Sequence, residues 1–146
     1  MYFVDRQKIE KNLTYLEKHI QLFQESQQWD SEYSKLSLER IAHVMMDCIL
    51  DVGNALIDGF IMRDPGSYED IVDILLDEKV ITKEMEEQFK QILPLRRMIV
   101  QEYLTIDHEQ IYQVLHKNLP AVAAYPQAVR KYLVDALGPV SAFLRE

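Results

Sequence analysis

The longest apolar segment of the chain, from about Ser34 to Asp58, has the periodicity of an α-helix with two apolar faces. One face carries five residues at spacings of three or four: Ile41, Met45, Cys48, Val52 and Leu56. The second face carries three more: Met46, Leu50 and Ile57. A helix that is apolar on two sides packs at the centre of a helical domain or against a second subunit. We therefore expect this segment to organise the fold.

The rest of the chain also predicts helices. Its 146 residues include only four glycines and five prolines, which is typical of a globular helical protein, and we assign residues 1–146 to one domain. Apolar periodicity and capping signals predict four further helix starts, at Asp5, Ser67, Thr82 and Asp107. The sequence shows neither the alternation of a strand nor an internal repeat. The predicted fold is an all-α, up-and-down bundle of five or six helices.

Prolines are expected to divide the second half of the chain. Pro94 interrupts one helical segment, and because proline inside a helix costs about 3 kcal/mol, the residues after it would follow a bend or begin a new helix. Pro120 is expected to end the next helix. A last helix would begin near Pro126 and stop at Gly138 and Pro139.

The sequence also indicates the cellular compartment. Cys48 is the lone cysteine and lies among apolar residues, so it supports neither a disulfide framework nor a cysteine-based zinc site. The segment from Met1 to Arg6 has no apolar signal region, and Asp51 and Asp58 interrupt the longest apolar stretch before it could span a bilayer. We expect a cytoplasmic protein that is neither secreted nor inserted in a membrane. No Gly-rich phosphate loop is present, and no cofactor is expected.

Charge is distributed unevenly along the chain. The formal net charge of −8 argues against a general nucleic-acid coat, because such proteins gain affinity by neutralising phosphates. Residues 25–78 hold thirteen acidic and three basic side chains, whereas residues 79–105 hold five basic and four acidic side chains. The adjacent Arg96 and Arg97 therefore lie in a locally basic part of an acidic protein.

The central segment carries a polar stripe at helical spacing: Arg40, His43, Asp47, Asp51, Asn54 and Asp58. His43, Asp47 and Asp51 could present ligands to a divalent metal ion, but one histidine with two aspartates is a weak signature and no metal site is assigned. A solvated helix face is the simpler interpretation. Alternatively, the carboxylates pair with the basic surface around Arg96 and Arg97. The other histidines lack a nucleophile pattern and are interpreted as surface residues: His19, His108 and His116.

The segment from Leu93 to Leu104 places arginines, an amide and a tyrosine on what otherwise has the pattern of a buried helix. On a helix, Arg96 and Tyr103 lie close to one face. Arg96 and Gln101 are turned about 140° from each other, so one helix cannot direct both at one point, whereas a two-fold dimer could. Arginine suits a phosphodiester because its planar fork holds phosphate oxygens. The alternative is that the arginines only pair with nearby carboxylates such as Glu102.

The run from Arg96 to Tyr103 resembles the signature of the HepT-like ribonuclease toxins in the HEPN superfamily. That signature is Arg, usually a polar residue, two variable residues, Val, His, any residue and Tyr. The surroundings agree, with a long apolar second helix, a Pro65–Tyr68 segment that opens a short helix, and a helix capped by Thr82 that leads to the motif. The likeness covers most of residues 5–119.

The resemblance implies a HEPN bundle that dimerises, with a composite cleft where two motifs meet and metal-independent RNA cleavage. It implies that Arg96 contacts the scissile phosphate. It also implies that Tyr103 is the tyrosine that a nucleotidyltransferase antitoxin of the MntA type modifies with AMP to silence the toxin. Gln101 occupies the position of the family's catalytic histidine.

The glutamine matters because imidazole accepts and returns a proton near neutral pH and a carboxamide does not. Gln101 could still orient the 2'-hydroxyl, and His43 or His108 could enter the cleft instead. The first hypothesis is a toxin endoribonuclease of a toxin–antitoxin pair, with Arg97, His43 and Asp47 as supporting residues. The second is a catalytically degenerate HEPN dimer that binds a nucleotide, an RNA or a protein.

Overall fold

The computed structural model describes residues 4–26 and 28–138, and within these ranges the chain is helical and contains no strand. Five α-helices follow one another: α1 (Arg6–Glu25), α2 (Glu32–Gly59), α3 (Tyr68–Asp77), α4 (Lys83–Val100) and α5 (His108–Leu137). A short 3-10 turn, Tyr103–Thr105, lies between α4 and α5. The predicted all-α fold is confirmed, and the described part of the chain has five α-helices.

Each α-helix begins at a side chain that caps its first turn. The four predicted caps each accept a hydrogen bond from the backbone amide three residues later: Asp5, Ser67, Thr82 and Asp107. α2 begins slightly earlier than predicted, because Ser31 and Ser34 form a reciprocal capping pair. The Ser31 hydroxyl accepts from the Ser34 amide, and the Ser34 hydroxyl accepts from the Ser31 amide. Satisfying two amides in this way fixes the start of the helix at Glu32.

α2 lies at the centre of the bundle and packs against α1, α3, α4 and α5. Its two predicted apolar faces are both buried within the chain, and the second face includes Met46, Leu50 and Ile57. The predicted central packing is therefore confirmed. Helices of the same chain cover the second face, so it is not available for a subunit contact. Although α2 is strongly apolar, none of the helices in the described ranges has the length and apolar character needed to cross a membrane.

α4 is one continuous helix with Pro94 inside it, so the prediction that a new helix could begin before the arginines is wrong. Pro94 itself is exposed, whereas its neighbours Leu93 and Leu95 are buried. Hydrogen bonds on the solvent side of a helix are the ones that lengthen most readily, so a proline is tolerated there. Burial of the neighbouring leucines holds the helix in place across the proline.

α5 is also continuous, which corrects the prediction of two helices separated at Pro120 and Pro126. The backbone amide of Ala121, next to the first proline, donates a 2.9 Å hydrogen bond to the side-chain oxygen of Gln88 on α4. The second proline is buried. Tertiary contacts with the rest of the bundle therefore outweigh the local helix-breaking tendency of both prolines.

The buried side chain of Tyr125 holds the second half of α5 against the bundle. Tyr125 is fully buried, and its hydroxyl donates a 3.0 Å hydrogen bond to the backbone carbonyl of Ile49 on α2. Its ring meets the ring of Phe89 edge-on, with 5.4 Å between the ring centres. Gly138 follows the helix with a φ angle of 88°, a conformation that favours glycine. Pro139, the other half of the predicted stop signal, lies outside the described residues.

Candidate functional site

Arg96 lies near the end of α4 and is held from two sides. Its Nε donates a 2.8 Å hydrogen bond to Oδ1 of Asp47 on α2. Its guanidinium carbon lies 4.8 Å from the centre of the Tyr68 ring, in the first turn of α3. The predicted alternative in which the acidic stripe of α2 pairs with the α4 arginines is therefore confirmed for Arg96.

Asp47 also joins Arg96 to His43. Its second carboxylate oxygen, Oδ2, lies 3.0 Å from Nε2 of His43, one turn earlier on α2. When Nε2 donates its proton to the carboxylate, Nδ1 is the unprotonated nitrogen of the neutral ring. One carboxylate therefore orients a guanidinium and an imidazole at the same place.

The ion pair further stabilises the charged form of Arg96, which is charged at neutral pH in any case. The hydrogen bond to Asp47 raises the pKa of Arg96, and this effect exceeds the opposing effect of desolvation. The pKa of Asp51, one turn further along α2, is also raised, first because its carboxyl is partly desolvated and then because Asp47 lies near. Among the described residues, Nη1 and Nη2 of Arg96 have no hydrogen-bond partner, and 23% of the side chain is exposed. These two nitrogens can therefore receive an anion from solvent.

α4 ends at Val100, and Gln101 forms its C-terminal cap. The backbone of Gln101 stays near the helical region, with φ −103° and ψ −36°, and its amide donates a 2.8 Å hydrogen bond to the Arg97 carbonyl. Its side chain is exposed. Within the described ranges, no hydrogen bond joins the Gln101 carboxamide to Arg96 or His43. Within the described part of one chain, Gln101 and Arg96 therefore do not form a joint hydrogen-bonded site.

Tyr103 lies beyond the helix, so the prediction that it shares a helical face with Arg96 is wrong. Glu102, with φ −104° and ψ 41°, leaves the helical region and turns the chain into the 3-10 turn. As a result the side chain of Tyr103 is 66% exposed. Arg97 is also exposed, and its Nε lies 3.6 Å from Oε2 of Glu102, so the predicted carboxylate pairing is confirmed for this arginine.

The structure separates the two histidines that were candidates for proton transfer. His43 is bonded to Asp47, the partner of Arg96, whereas Nε2 of His108 lies 2.6 Å from Oε2 of Glu39. His43 is therefore the histidine that shares the Asp47 carboxylate with Arg96. Across residues 4–26 and 28–138, no group of three His, Cys, Asp or Glu side chains is arranged to hold a metal ion, which removes support from the metal interpretation of the stripe.

His19 and His116 were both predicted as surface residues, and for His19 the prediction is wrong. His19 is buried, and its Nδ1 lies 2.9 Å from the backbone carbonyl oxygen of Tyr15. The carbonyl accepts the Nδ1 proton, so the ring satisfies one polar group within α1 itself. His116 is exposed and stacks on Tyr112.

Tyr68 is the site residue that the sequence did not identify. Its place directly after the Ser67 cap predicts the start of a helix and nothing about a partner. No spacing rule connects the first turn of α3 with the end of α4, so the contact with Arg96 depends on tertiary packing. The site therefore consists of Arg96, Asp47, His43 and Tyr68, contributed by three helices.

Comparisons with known proteins identify the family of the chain. The family model described as "Ribonuclease HepT-like" matches residues 9–129. The Bacillus subtilis (strain 168) protein named "Putative RNase YutE" is 49% identical over 143 residues, which cover 98% of this chain and 99% of the relative.

Two solved structures share the fold. One is described as a cytosolic protein of unknown function, YutE from Bacillus subtilis, and it aligns with a TM-score of 0.94 at 49% identity over 98% of this chain and 100% of the other. The second is described as a toxin–antitoxin with AMP-PNP, and it aligns with a TM-score of 0.72 at 16% identity over 83% of this chain and 96% of the other. The second likeness concerns the fold alone. From the family match over most of its length, together with the relative that shares half of its residues, the chain belongs to the HepT-like ribonuclease family.

Proposed function

We propose that this protein is a HepT-like endoribonuclease in which Arg96 holds the phosphate of the cleaved bond. The observation that carries the proposal is the placement of Arg96. Asp47 and Tyr68 hold the guanidinium from two sides, and its Nη atoms have no partner among the described residues. A fixed guanidinium with two free donors suits two phosphate oxygens, and it stabilises the charge that develops on them. Family membership supports RNA as the substrate.

His43 takes the part of the absent family histidine in this proposal. The 2'-oxygen of the RNA forms a bond to phosphorus while its proton passes to Nδ1 of an imidazole. The bond from phosphorus to the 5'-oxygen breaks as the imidazolium formed in this way returns a proton to that oxygen, leaving a cyclic phosphate and a free 5'-hydroxyl. The 3.0 Å approach of Nε2 of His43 to Oδ2 of Asp47 supports this role, because a proton on Nε2 leaves Nδ1 unprotonated in the neutral ring. Gln101 has no titrating group near neutral pH, so its part is to orient the 2'-hydroxyl.

The proposed active form is a homodimer. Exposed apolar side chains at the end of α4 and in the turn after it support it, namely Val100 and Leu104. An interface over these residues would bring Gln101 of one copy towards Arg96 of the other. Light scattering at micromolar concentration measures the mass. Twice the chain mass supports the dimer, and the mass of one chain contradicts it.

The proposed biological role is that of a cytosolic toxin whose partner is a nucleotidyltransferase antitoxin of the MntA type. Tyr103 would be the residue that receives AMP, and its exposed side chain supports this assignment. A fold neighbour described as a toxin–antitoxin with AMP-PNP also supports it. Co-expression with a nucleotidyltransferase encoded by a neighbouring gene should add one adenylyl group to the parent and none to Tyr103→Phe, as measured by mass spectrometry. Unchanged mass of the parent contradicts the role.

RNA cleavage tests the enzymatic proposal. Labelled single-stranded RNA is incubated with the parent, Arg96→Ala, Gln101→His and Lys131→Ala, and Lys131→Ala serves as the control that removes a positive charge elsewhere on the surface. We expect the parent to cleave and Arg96→Ala to lose on the order of 10²- to 10³-fold in rate. Equal cleavage by the parent and Arg96→Ala contradicts the proposal.

The second candidate function is a catalytically degenerate HEPN dimer that binds a nucleotide, an RNA or a protein. Gln101 favours it, because the resemblance puts this residue at the family's histidine position and its exposed side chain has no hydrogen bond to the described part of the chain. In the same assay, no cleavage by the parent and a gain of cleavage in Gln101→His would support this second function over the first.

A further inference from the structure

Tyr68 is half exposed beside Arg96. It stands at the first position of α3, and 51% of its surface is exposed. The guanidinium of Arg96 covers part of its ring at 4.8 Å from the ring centre. A ring that carries a cation on one side and keeps half of its surface exposed has room for a second flat group.

The loop before Tyr68 is held in place by hydrogen bonds. The hydroxyl of Ser67 accepts from the Asp70 amide at 3.0 Å. The Asp70 carboxylate in turn accepts two bonds from Arg63, at 2.8 and 2.9 Å, and one of 2.8 Å from the Gly66 amide. Tyr68 therefore stands on a braced segment, which lowers the entropy lost when a ligand contacts it.

We propose that the exposed ring of Tyr68 is a stacking platform for the nucleobase next to the phosphate held by Arg96. This inference rests on the proposed function and names its substrate class as single-stranded RNA. Every base has a π-face, so stacking on an aromatic side chain tolerates many sequences and contributes about 1–3 kcal/mol per base. Bases inside a duplex are already stacked on each other and cannot reach the ring.

Tyr68 is also positioned for both parts of one nucleotide. A guanidinium and an aromatic ring in contact can bind a phosphate and its neighbouring base without a further pocket. The acidic surface of α2 beside them, with Asp47 and Asp51, disfavours a long phosphate track along that helix. The site is therefore suited to one nucleotide and its phosphate rather than to an extended backbone.

Binding of two related probes tests the platform. The first is a fluorescein-labelled oligouridylate with 2'-O-methyl riboses, which lack the attacking hydroxyl, and the second is the same oligomer without bases. Affinities are measured for the parent, Tyr68→Leu, Tyr68→Phe and Arg96→Ala. Tyr15→Leu is the matched control, because Tyr15 is 46% exposed and has Lys18 5.9 Å from its ring centre. Circular dichroism verifies the fold of each variant.

We expect Tyr68→Leu to weaken binding of the base-bearing probe about 5- to 150-fold and to weaken binding of the abasic probe by a smaller factor, because the ring also contacts the Arg96 guanidinium. Tyr68→Phe and Tyr15→Leu should bind both probes as the parent does. If Tyr68→Leu loses affinity equally for both probes, or for neither, the stacking platform is contradicted. Neither result contradicts the phosphate site at Arg96. Unchanged binding of both probes by Arg96→Ala would overturn the phosphate site, and the platform with it.

Discussion

Arg96 on α4 and Asp47 on α2 form an ion pair with 2.8 Å between Nε and Oδ1. Both side chains are partly exposed, and such pairs typically contribute about 0–1 kcal/mol to stability. The consequence of the pair is therefore mainly geometric. The pair uses Nε of Arg96 and leaves Nη1 and Nη2 without a partner among the described residues, while the other oxygen of the same carboxylate lies 3.0 Å from Nε2 of His43.

Asp47→Asn should lower RNA cleavage far more than it lowers stability. The asparagine side chain has no negative charge to attract the guanidinium, and only one of its two terminal atoms accepts hydrogen bonds. Arg96 and His43 therefore both lose their orientation. We expect a loss in rate on the order of 10²-fold and a change in unfolding free energy below about 1 kcal/mol. Asp58→Asn on the same stripe is the control. Cleavage kinetics and urea denaturation measure the two effects, and equal rates for Asp47→Asn and the parent would contradict this role.

His43→Gln separates the two histidine candidates. If His43 accepts the proton of the 2'-hydroxyl, its loss should lower the cleavage rate by about 10²- to 10⁴-fold. His116→Gln, which removes an exposed imidazole stacked on Tyr112, is the control and should cleave as the parent does. Single-turnover rates provide the comparison. A large loss of rate in His108→Gln with none in His43→Gln would show that His108 transfers the proton, and would contradict the role proposed for His43.

The fold was largely predictable because its signals are local. Side chains such as Ser67 and Thr82 cap the helix that follows them, and apolar spacing marks the buried faces. The helix breaks predicted at the prolines of α4 and α5 were wrong for a physical reason. Their cost is local, whereas the contacts that offset it, such as the bond from Ala121 to Gln88, join residues distant in the chain.

The site was predictable only in part. The motif identified Arg96, and the polar stripe of α2 left open whether its aspartates bind a metal, water or an arginine. Only packing of α2 against α4 decides that Asp47 is the partner. The Pro65–Tyr68 segment entered the resemblance only as the start of a short helix, and a tyrosine at the start of one helix carries no information about the end of another. The position of Tyr103 depended on where α4 ends, which spacing alone does not determine.

Gly53→Ala should destabilise the bundle. A Cβ at this position of α2 would lie 2.7 Å from Cγ2 of Ile71 and 3.2 Å from Cδ1 of Leu75 on α3. Overpacking of a core costs about 1–3 kcal/mol, which exceeds the gain of up to about 1 kcal/mol from replacing glycine in a helix. Thermal unfolding should show a lower Tm. Gly66→Ala, where the nearest atom is 3.8 Å away, should leave the Tm nearly unchanged. A Tm for Gly53→Ala at or above that of the parent would refute the close approach.

Glu86 should make stability sensitive to acid. Its side chain lies 2.7 Å from Nζ of Lys90 and 3.0 Å from Nζ of Lys83, and hydrogen bonds from these lysines, Lys90 first, hold its pKa below the ordinary value of 4.5. A carboxyl with a lowered pKa in the folded state adds stability above its unfolded pKa and loses it as the pH falls through the folded pKa.

The matching experiment compares urea unfolding of the parent and Glu86→Gln from about pH 7 to about pH 3. We expect the parent to be the more stable protein at neutral pH, and the difference to shrink as the pH falls below 4.5. A difference that stays constant over the whole range would show that the charge of Glu86 has no part in it.

The central claim is that Arg96 holds a phosphodiester, and a crystal structure with bound RNA tests it most directly. The ligand is a 2'-O-methyl oligouridylate, which cannot supply the attacking hydroxyl. We expect a phosphodiester with its oxygens about 3 Å from Nη1 and Nη2 of Arg96, while Nε stays bonded to Asp47. An oligomer bound elsewhere, with no phosphate at the Nη atoms of Arg96, would contradict it.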